Sequence, residues 1–464
     1  MKLPALPASP GVSVIVNTLN RMGSLENTLL GLRQLRYPDF EIVVVHGPCT
    51  DETLAILERH RDAIRIASCP IMNLSASRNI GLRLAAKDLV AFIDDDAVPE
   101  PDWLDRLVTG FSNPEVAAVG GFIRDQDGVA FQHQIIVANR LGDARSFAPP
   151  ASPLGRGAFF SPTGTNICIR RACLAHIGGF DEAFAYFLEE TDVNLRLVDR
   201  GWTIGFVPDA EVHHYFLENE VRNKTRVPRS LYQLARSKAY FCWKHGPGHL
   251  PTSEIHRRLA RHRAQLRRHL VWFQFTGQLS GADARRLRSE LDLGLADGEH
   301  TARQASGVAA TFAGALPVDP TPAPPARRDR RARVCWISAP ASASTGDAID
   351  VLPLELAGLG GEVTAISPAA GSGTSIRFDG AWRHRVGSGA PKQLGFWRRY
   401  AAAALREVER IQPRRCFDIV FCPRELEAAL APLSARGIKV LASSALTAHD
   451  LNAAIRSAPA AQPR

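Results

Sequence analysis

The residues best suited to chemistry are three successive carboxylates, Asp94-Asp95-Asp96, which follow directly on the apolar run Leu89-Val90-Ala91-Phe92-Ile93. Adjacent acids repel one another, so a fold that keeps them needs a countercharge nearby. A divalent cation that prefers oxygen ligands, Mg²⁺ or Mn²⁺, meets that need, and Mg²⁺ completes its shell with phosphate oxygens and water. The same acids could instead form a loop that caps the next helix; their place directly after a buried strand favours the metal. A second acidic group, Glu189-Glu190-Thr191-Asp192, follows the aromatic pair Tyr186-Phe187. On a helix, positions 189, 192, 193 and 196 share one face, with Glu190 beside them near the N-terminal end. Acids are ordinary in a first helical turn. Aromatic neighbours, however, lower the local dielectric and raise a carboxyl pKa, as suits a general base acting on a hydroxyl.

Between these groups, Ser75, Arg78 and Asn79 are polar positions on an otherwise apolar helix. Arg78 is suited to a diphosphate, to Asp94 or Asp96, or to a purely structural ion pair. His213-His214 ends a short strand, Ala210–Val212. Away from other ligands such histidines are packed or surface residues; beside a carboxylate site, one of them becomes a third metal ligand.

The elements that must position these residues alternate along the first 215 positions in the manner of an α/β sheet. Val12–Val16, Glu41–Val45, Ile64–Ala67 and Leu89–Ile93 read as strands. Leu25–Leu35, Thr50–His60 (with Thr50 and Asp51 as cap residues) and Ser75–Ala86 read as helices. In such a sheet the loops gather at the carboxyl ends of the strands, where ligands bind. Residues 216–300 read as helical and basic, and 301–332 as an Ala-, Pro- and Arg-rich linker. A second β/α series follows, with strands at Val334–Ser338, Val363–Ile366, Ile419–Cys422 and Val440–Ala442 and a helix at Phe396–Ile411.

The chain has 464 residues, too many for one core, and a formal net charge of +9 concentrated in the runs His256–His269 and Arg327–Arg333. Nucleic acid, an anionic membrane, a polyanionic substrate or a solubilising surface would each account for such runs. No stretch has the apolar length of a membrane span, and the N-terminal MKLPALPASPGVSV lacks the apolar region of a signal peptide. The eight cysteines form no CxxC pair, so neither a zinc site nor a disulfide framework is indicated, and a reducing cytoplasm is the expected compartment.

Taken together and in order, VSVIVNTLNR, EIVVVHGPCTDET, SASRNIGLRLA, FIDDDAVPEPDWL, GTNICIRRACLAHIGGFDEAF and FLEETDVNLRLVDRGW resemble family 2 glycosyltransferases of the GT-A fold, across roughly residues 12–245. The resemblance implies a Rossmann-like nucleotide-diphospho-sugar transferase domain that uses Mg²⁺ or Mn²⁺ and a nucleotide-sugar donor. By that resemblance Thr18, Asn20, Arg21 and Asp51 lie near the nucleotide, with Ser75 and Arg78 on the donor side and Asp95 facing the ribose. Asp94 and Asp96 match the metal-binding DxD acids, and His214 the histidine that closes the domain near the metal. Glu189-Glu190 matches a Glu-Asp pair whose second acid is the catalytic base, so Glu190 is the expected base, with Asp192 as runner-up. Asn17 replaces a usual proline, Leu19 a usual aromatic and Glu190 a usual Asp. His46 stands where the family often has the aspartate that reads the base, which leaves the nucleotide open.

The expected division is a GT-A domain over 1–245, a basic helical extension over 246–300, the linker 301–332 and a Rossmann-like accessory domain over 333–464. VCWISAP, GGEVTAIS and FDIVFC in the last part resemble, faintly, the N-terminal half of GT-B glycosyltransferases. Ala339–Gly346 replaces the glycine-rich phosphate turn, so an accessory or assembly role is the expectation there. The long loop 122–165 is a candidate acceptor wall or lid. The acceptor implied by the family's common setting is a glycan or lipid-linked glycan of the cell envelope. The basic helix 254–270 would then meet the inner face of the membrane, or be a simple solvated helix, and no nucleic-acid partner is expected. Two other functions fit a β/α sheet with acids. A nucleotidyltransferase would need a basic, glycine-rich triphosphate loop, which NTLNRMGS resembles poorly; a non-catalytic sugar-nucleotide-binding or scaffold protein would keep the cleft without turnover.

Overall fold

A computed structural model describes residues 3, 5–152, 155, 157–218, 221, 223, 225–304, 332–339, 362–369, 371, 373–389, 391 and 393–442. The first part of the chain contributes β1 (Val12–Thr18), β2 (Phe40–His46), β3 (Arg65–Ser68), β4 (Leu89–Asp94), β5 (Ala97–Pro99), β6 (Val116–Arg124), β7 (Phe131–His133), β8 (Ile135–Ala138), β9 (Ala144–Phe147), β10 (Phe159–Phe160), β11 (Ile167–Arg170) and β12 (Thr203–His214). Its helices are α1 (Met22–Leu32), α2 (Thr53–Arg59), α3 (Leu74–Leu84), α4 (Trp103–Thr109), α5 (Arg171–Ile177), α6 (Glu189–Asp199), α7 (Tyr232–His245), α8 (Thr252–Phe275) and α9 (Gly281–Gln304). The second part contributes β13 (Arg333–Ile337), β14 (Glu362–Ala369), β15 (Ser375–Phe378), β16 (Trp382–Gly387), α10 (Phe396–Arg415), β17 (Ile419–Cys422), α11 (Arg424–Ser434) and β18 (Lys439–Ala442).

β1, β2 and β4 are largely apolar runs buried on both faces, the composition a central parallel sheet requires. They pair in parallel so that Thr18 stands opposite His46 and Asn17 opposite Asp94, and three strands therefore end at one edge. The sheet order is β3-β2-β1-β4-β11-β6-β12-β5, with β7 on β6. Alternate residues feed two cores: Val12, Val14 and Val16 pack on one face, Ile15, Val43 and Val45 on the other. The register of β12 slips between Val207 and Glu211, and beyond that bulge His214 pairs with Ala97, just past the acidic turn. Gly121 permits this bend. A Cβ there would lie 1.8 Å from the Ala210 carbonyl oxygen and 2.4 Å from Asn166 Nδ2.

Several elements depart from the sequence expectation. α1 starts at Met22 and stops at Leu32 rather than spanning 25–35. α2 starts at Thr53 rather than Thr50, and of the two expected cap residues it is Asp51 whose carboxylate accepts the Thr53 amide. β12 runs for twelve residues where only Ala210–Val212 is legible. α10 continues to Arg415, past the expected end at Ile411. The loop 122–165 carries β7 and a small antiparallel sheet, β10-β8-β9. The expected linker falls almost wholly at 305–331, outside the described residues, as does most of the replaced phosphate turn, at 340–346.

The second sheet has the order β15-β16-β14-β13-β17-β18, parallel except at β15. It docks on the first through Ile376, Phe378 and Trp382, which bury against Val98. Tyr215 Oη lies 2.7 Å from the Phe378 amide, and Arg415 reaches Glu100 at 2.8 Å.

Candidate active site

Because β4 ends among neighbours that end with it, Asp94, Asp95 and Asp96 emerge on a short turn at the carboxyl edge. There they line a cleft of about 680 Å³ together with Thr18, Asn20, Arg21, Tyr186 and His214. Oxygen atoms of Asp94 and Asp96 and a ring nitrogen of His214 lie within 4.8 Å of one another. His214 Nε2 is 3.0 Å from Asp96 Oδ1 and 3.9 Å from Asp94 Oδ2. His214 Nδ1 lies 2.8 Å from Gln132 Oε1 and Nε2 faces Asp96, so the ring is held between the two; with the proton on Nδ1, the Nε2 lone pair would be available to a cation. Two carboxylates and one imidazole form a donor set that fits a divalent cation.

The three acids differ in environment. Asp94 is the most open, with 37% of its side chain exposed, and accepts the Thr165 hydroxyl at 2.6 Å. Asp96 is buried, yet His214, Arg21 and the Leu217 amide offset that cost and hold its carboxyl below the usual range. Burial and then the charge on Asp96 push Asp95 upward, against the pull of Arg21. Arg21 faces both, at 3.9 Å from Asp95 and 4.0 Å from Asp96.

The second acidic group forms the first turn of α6. Phe187 and Leu188 precede it with φ of 73° and 68°, a left-handed pair that L side chains rarely adopt. Leu188 is buried among Phe184, Leu195 and Phe241, and that packing holds the turn that aims Glu189 and Glu190. Arg78 lies beneath them, buried between Phe92 and Phe180, with Nη1 2.8 Å from Glu189 and 3.9 Å from Glu190. Of the protein partners expected for Arg78, neither Asp94 nor Asp96 is the one it meets; its ion pair is with Glu189, with Glu190 beyond. Glu190 keeps 20% of its side chain exposed, and burial followed by the Glu189 charge raises its pKa well above the ordinary glutamate value. The two acidic groups are joined through Gly164-Thr165. A Cβ on Gly164 would strike the Arg78 guanidinium at 2.0 Å, while Thr165 holds Asp94.

The remaining expected residues fall into two sets. Asn20, itself at φ 53°, accepts the Thr50 amide at 2.7 Å, and Asp51 accepts the Thr53 amide at 3.0 Å and the Met22 amide at 3.1 Å. His46 closes β2 with Nδ1 2.8 Å from the Gly47 carbonyl, and Gly47 lines the cleft. Ser75 is fully buried and donates its hydroxyl to the Phe184 carbonyl at 2.7 Å, so its bond is internal to the fold. Asp192 is also fully buried, its oxygens taken by Arg196, Lys244 and His245, which leaves no lone pair directed at a substrate. Sequence reasoning passed over Thr165, although it stands in the GTN motif, and Gln132, for which no signal exists.

Residues 10–236 match the model of the family described as "Glycosyltransferase like family 2". The chain is 31% identical over 278 residues to the O-antigen biosynthesis protein RfbC of Myxococcus xanthus, covering 56% of this chain and 21% of that protein. It is 28% identical over 216 residues to the pre-mycofactocin glycosyltransferase of Mycobacterium tuberculosis, covering 46% and 44%. The chain thus spans less than half the length of either relative. Among solved structures, the mannosyltransferase PcManGT from Pyrobaculum calidifontis in complex with GDP-Man and Mn²⁺ superposes with a TM-score of 0.38 at 17% identity, covering 66% of this chain and 90% of that one. Residues 10–236 of this chain, which hold the acidic cleft, thus match glycosyltransferase-like family 2.

Proposed function

We propose that the cleft transfers a glycosyl group from a nucleotide-sugar donor to an acceptor hydroxyl, with inversion at the anomeric carbon, in the assembly of a cell-envelope polysaccharide or glycolipid. The observation that carries this reading is the pairing of a three-ligand cluster, Asp94, Asp96 and His214, with the partly buried carboxylate Glu190 backed by Arg78. Asp94, Asp96 and His214 would hold Mg²⁺ or Mn²⁺. A cation held there supplies positive charge for the departing nucleoside diphosphate. Thr18, Asn20 and Arg21 line the nucleotide side of the cleft, with Arg21 adding positive charge beside Asp95. Glu190 takes the proton of the acceptor hydroxyl as its oxygen bonds to the anomeric carbon; the bond to the diphosphate breaks on the opposite face, and the electron pair leaves with it. The raised pKa of Glu190 makes it a stronger base than an ordinary glutamate. The two relatives named above, an O-antigen biosynthesis protein and a pre-mycofactocin glycosyltransferase, support a reading of this class. No described helix is long and apolar enough to cross a membrane, and we place the enzyme at the cytoplasmic side of the envelope as a peripheral protein.

The test is a panel of nucleoside diphosphates and their sugar conjugates, read by thermal shift and by product formation with and without Mn²⁺. One nucleotide should stabilise the chain in a cation-dependent manner, and its sugar conjugate should be turned over. Stabilisation that ignores the cation and survives Asp94→Asn with Asp96→Asn would overturn the reading.

A further inference from the structure

The basic helix α8 sorts its arginines by face. Ile255, Leu259 and Leu270 are buried against the protein. Arg258 pairs with Asp143, and Arg263 and Arg267 pair with Asp292 of α9. Arg257, Arg261 and Arg268 are exposed and have no ion-pair partner among the described residues. Their spacing of four and seven places them on one stripe of the helix, opposite the buried leucines. The stripe ends in large apolar side chains that the described residues leave exposed: Val271, Trp272, 59% exposed, and Phe275, 82% exposed. The one acid of the helix, Glu254, lies in its first turn. A globular protein seldom leaves such side chains together in water, and aromatic residues beside unpaired arginines match the interface of an anionic bilayer, where rings enter the acyl boundary and cations meet headgroup charge.

The position of the tip is informative as well. Leu270, one residue before it, is buried with Leu231 and Ala235, and Ser230 and Gln233 of that segment line the cleft. The aromatic tip therefore stands beside the segment that walls the catalytic cleft.

We propose that α8 docks the protein on an anionic lipid surface, with Trp272 and Phe275 inserted and Arg257, Arg261 and Arg268 against the headgroups. Its purpose, delivery of a lipid-borne acceptor to the cleft, rests on the glycosyl-transfer reading; the docking itself does not.

The experiment is sedimentation of the full chain with vesicles of phosphatidylcholine alone and of phosphatidylcholine with phosphatidylglycerol. The chain should sediment with the anionic vesicles and weaken with added salt, as headgroup attraction is screened. Arg257→Gln, Arg261→Gln and Arg268→Gln together should lower affinity on the order of a hundredfold, at about a fivefold loss for each cation removed from the surface. Trp272→Ser with Phe275→Ser should abolish the salt-resistant fraction. All five positions are exposed, so the variants keep the unfolding midpoint of the parent, and turnover of a water-soluble acceptor should be unchanged. Equal sedimentation of parent and variants, no preference for anionic vesicles, or a chain that shifts RNA in a gel while leaving the vesicles in suspension overturns the proposal. Loss of soluble turnover in the parent would sink the catalytic reading without touching this one.

Discussion

Trp382 of the second sheet meets His213 edge to face, with ring centroids 4.8 Å apart, one residue before the proposed metal ligand His214. Arg415 lies over the Trp382 ring at 3.9 Å, and the indole Nε1 donates to Gln34 at 3.2 Å. His213 is itself held 2.9 Å from Glu100. The second unit is therefore built into the support of the strand that carries His214, which bears on why it accompanies the catalytic fold.

Trp382→Ala should for that reason act at a distance. Truncating a fully buried tryptophan costs about 3–5 kcal/mol, and unfolding in denaturant should record it. Loss of outer support for a ligand typically weakens metal binding about 10–100-fold, so Mn²⁺ titration of the folded variant should show a drop in that range. A variant destabilised as expected but with unaltered Mn²⁺ affinity would confine Trp382 to packing.

Glu190→Gln keeps the shape of the side chain and removes the base. Turnover should fall about 10²–10⁴-fold, while donor binding stays near that of the parent. If turnover is retained, Glu190 is not the base.

The pH profile carries the same idea further. Glu190 must be ionised to act, and its pKa is raised by burial and then by Glu189. The rate should therefore rise with pH along a limb lying above the ordinary glutamate value of about 4.3. Glu189→Gln removes the adjacent negative charge, so the limb should move to lower pH. A limb that stays in place would separate it from Glu190.

How far the sequence reached is visible in these residues. The carboxyl ends of β1, β2 and β4 were legible, because an apolar run stopped by a polar turn has one good solution in a parallel sheet. Asp94 and Asp96 were found with them. The partner of Arg78 was not, since Glu189 lies 111 residues away and only tertiary packing joins them. Nor was the fate of Asp192: an acid in a first helical turn looks the same whether it faces a substrate or is surrounded by Arg196, Lys244 and His245. β15 and β16 are not among the expected strands, because their arginines mask the apolar pattern until Trp382 and Phe378 are seen to bury against the first sheet. The basic helix looked uniformly charged for a similar reason. The acids that claim three of its arginines lie outside it, at 143 and 292.

Asp192 gives a stability prediction with a definite sign. Against the cost of burial, Arg196, Lys244 and then His245 hold its carboxyl well below the usual aspartate value. A depressed folded-state pKa contributes stability that is present above the unfolded value, about 3.9, and is lost as pH falls through the folded one. Asp192→Asn leaves buried cations uncompensated and should cost about 3–5 kcal/mol at neutral pH. Urea unfolding should show the same gap between parent and variant at pH 7 and pH 5, and a smaller gap near pH 3. A gap that widens in acid would contradict the ion-pair account.

Thr165 offers the narrowest test of the metal cluster, because its hydroxyl touches Asp94 and no other candidate ligand in the cluster. Valine has nearly the same shape and cannot donate, so Thr165→Val frees one Asp94 oxygen from its fixed orientation. A carboxylate that must be reoriented on binding pays side-chain entropy that the hydrogen bond had already removed. Mn²⁺ affinity should fall about tenfold or more, and Thr165→Ser, which restores the donor, should recover most of it. Donor binding measured without the cation should not change in either variant. If Thr165→Val binds Mn²⁺ as tightly as the parent, Asp94 does not ligate the metal through the carboxylate that Thr165 holds, and the cluster reduces to Asp96 and His214.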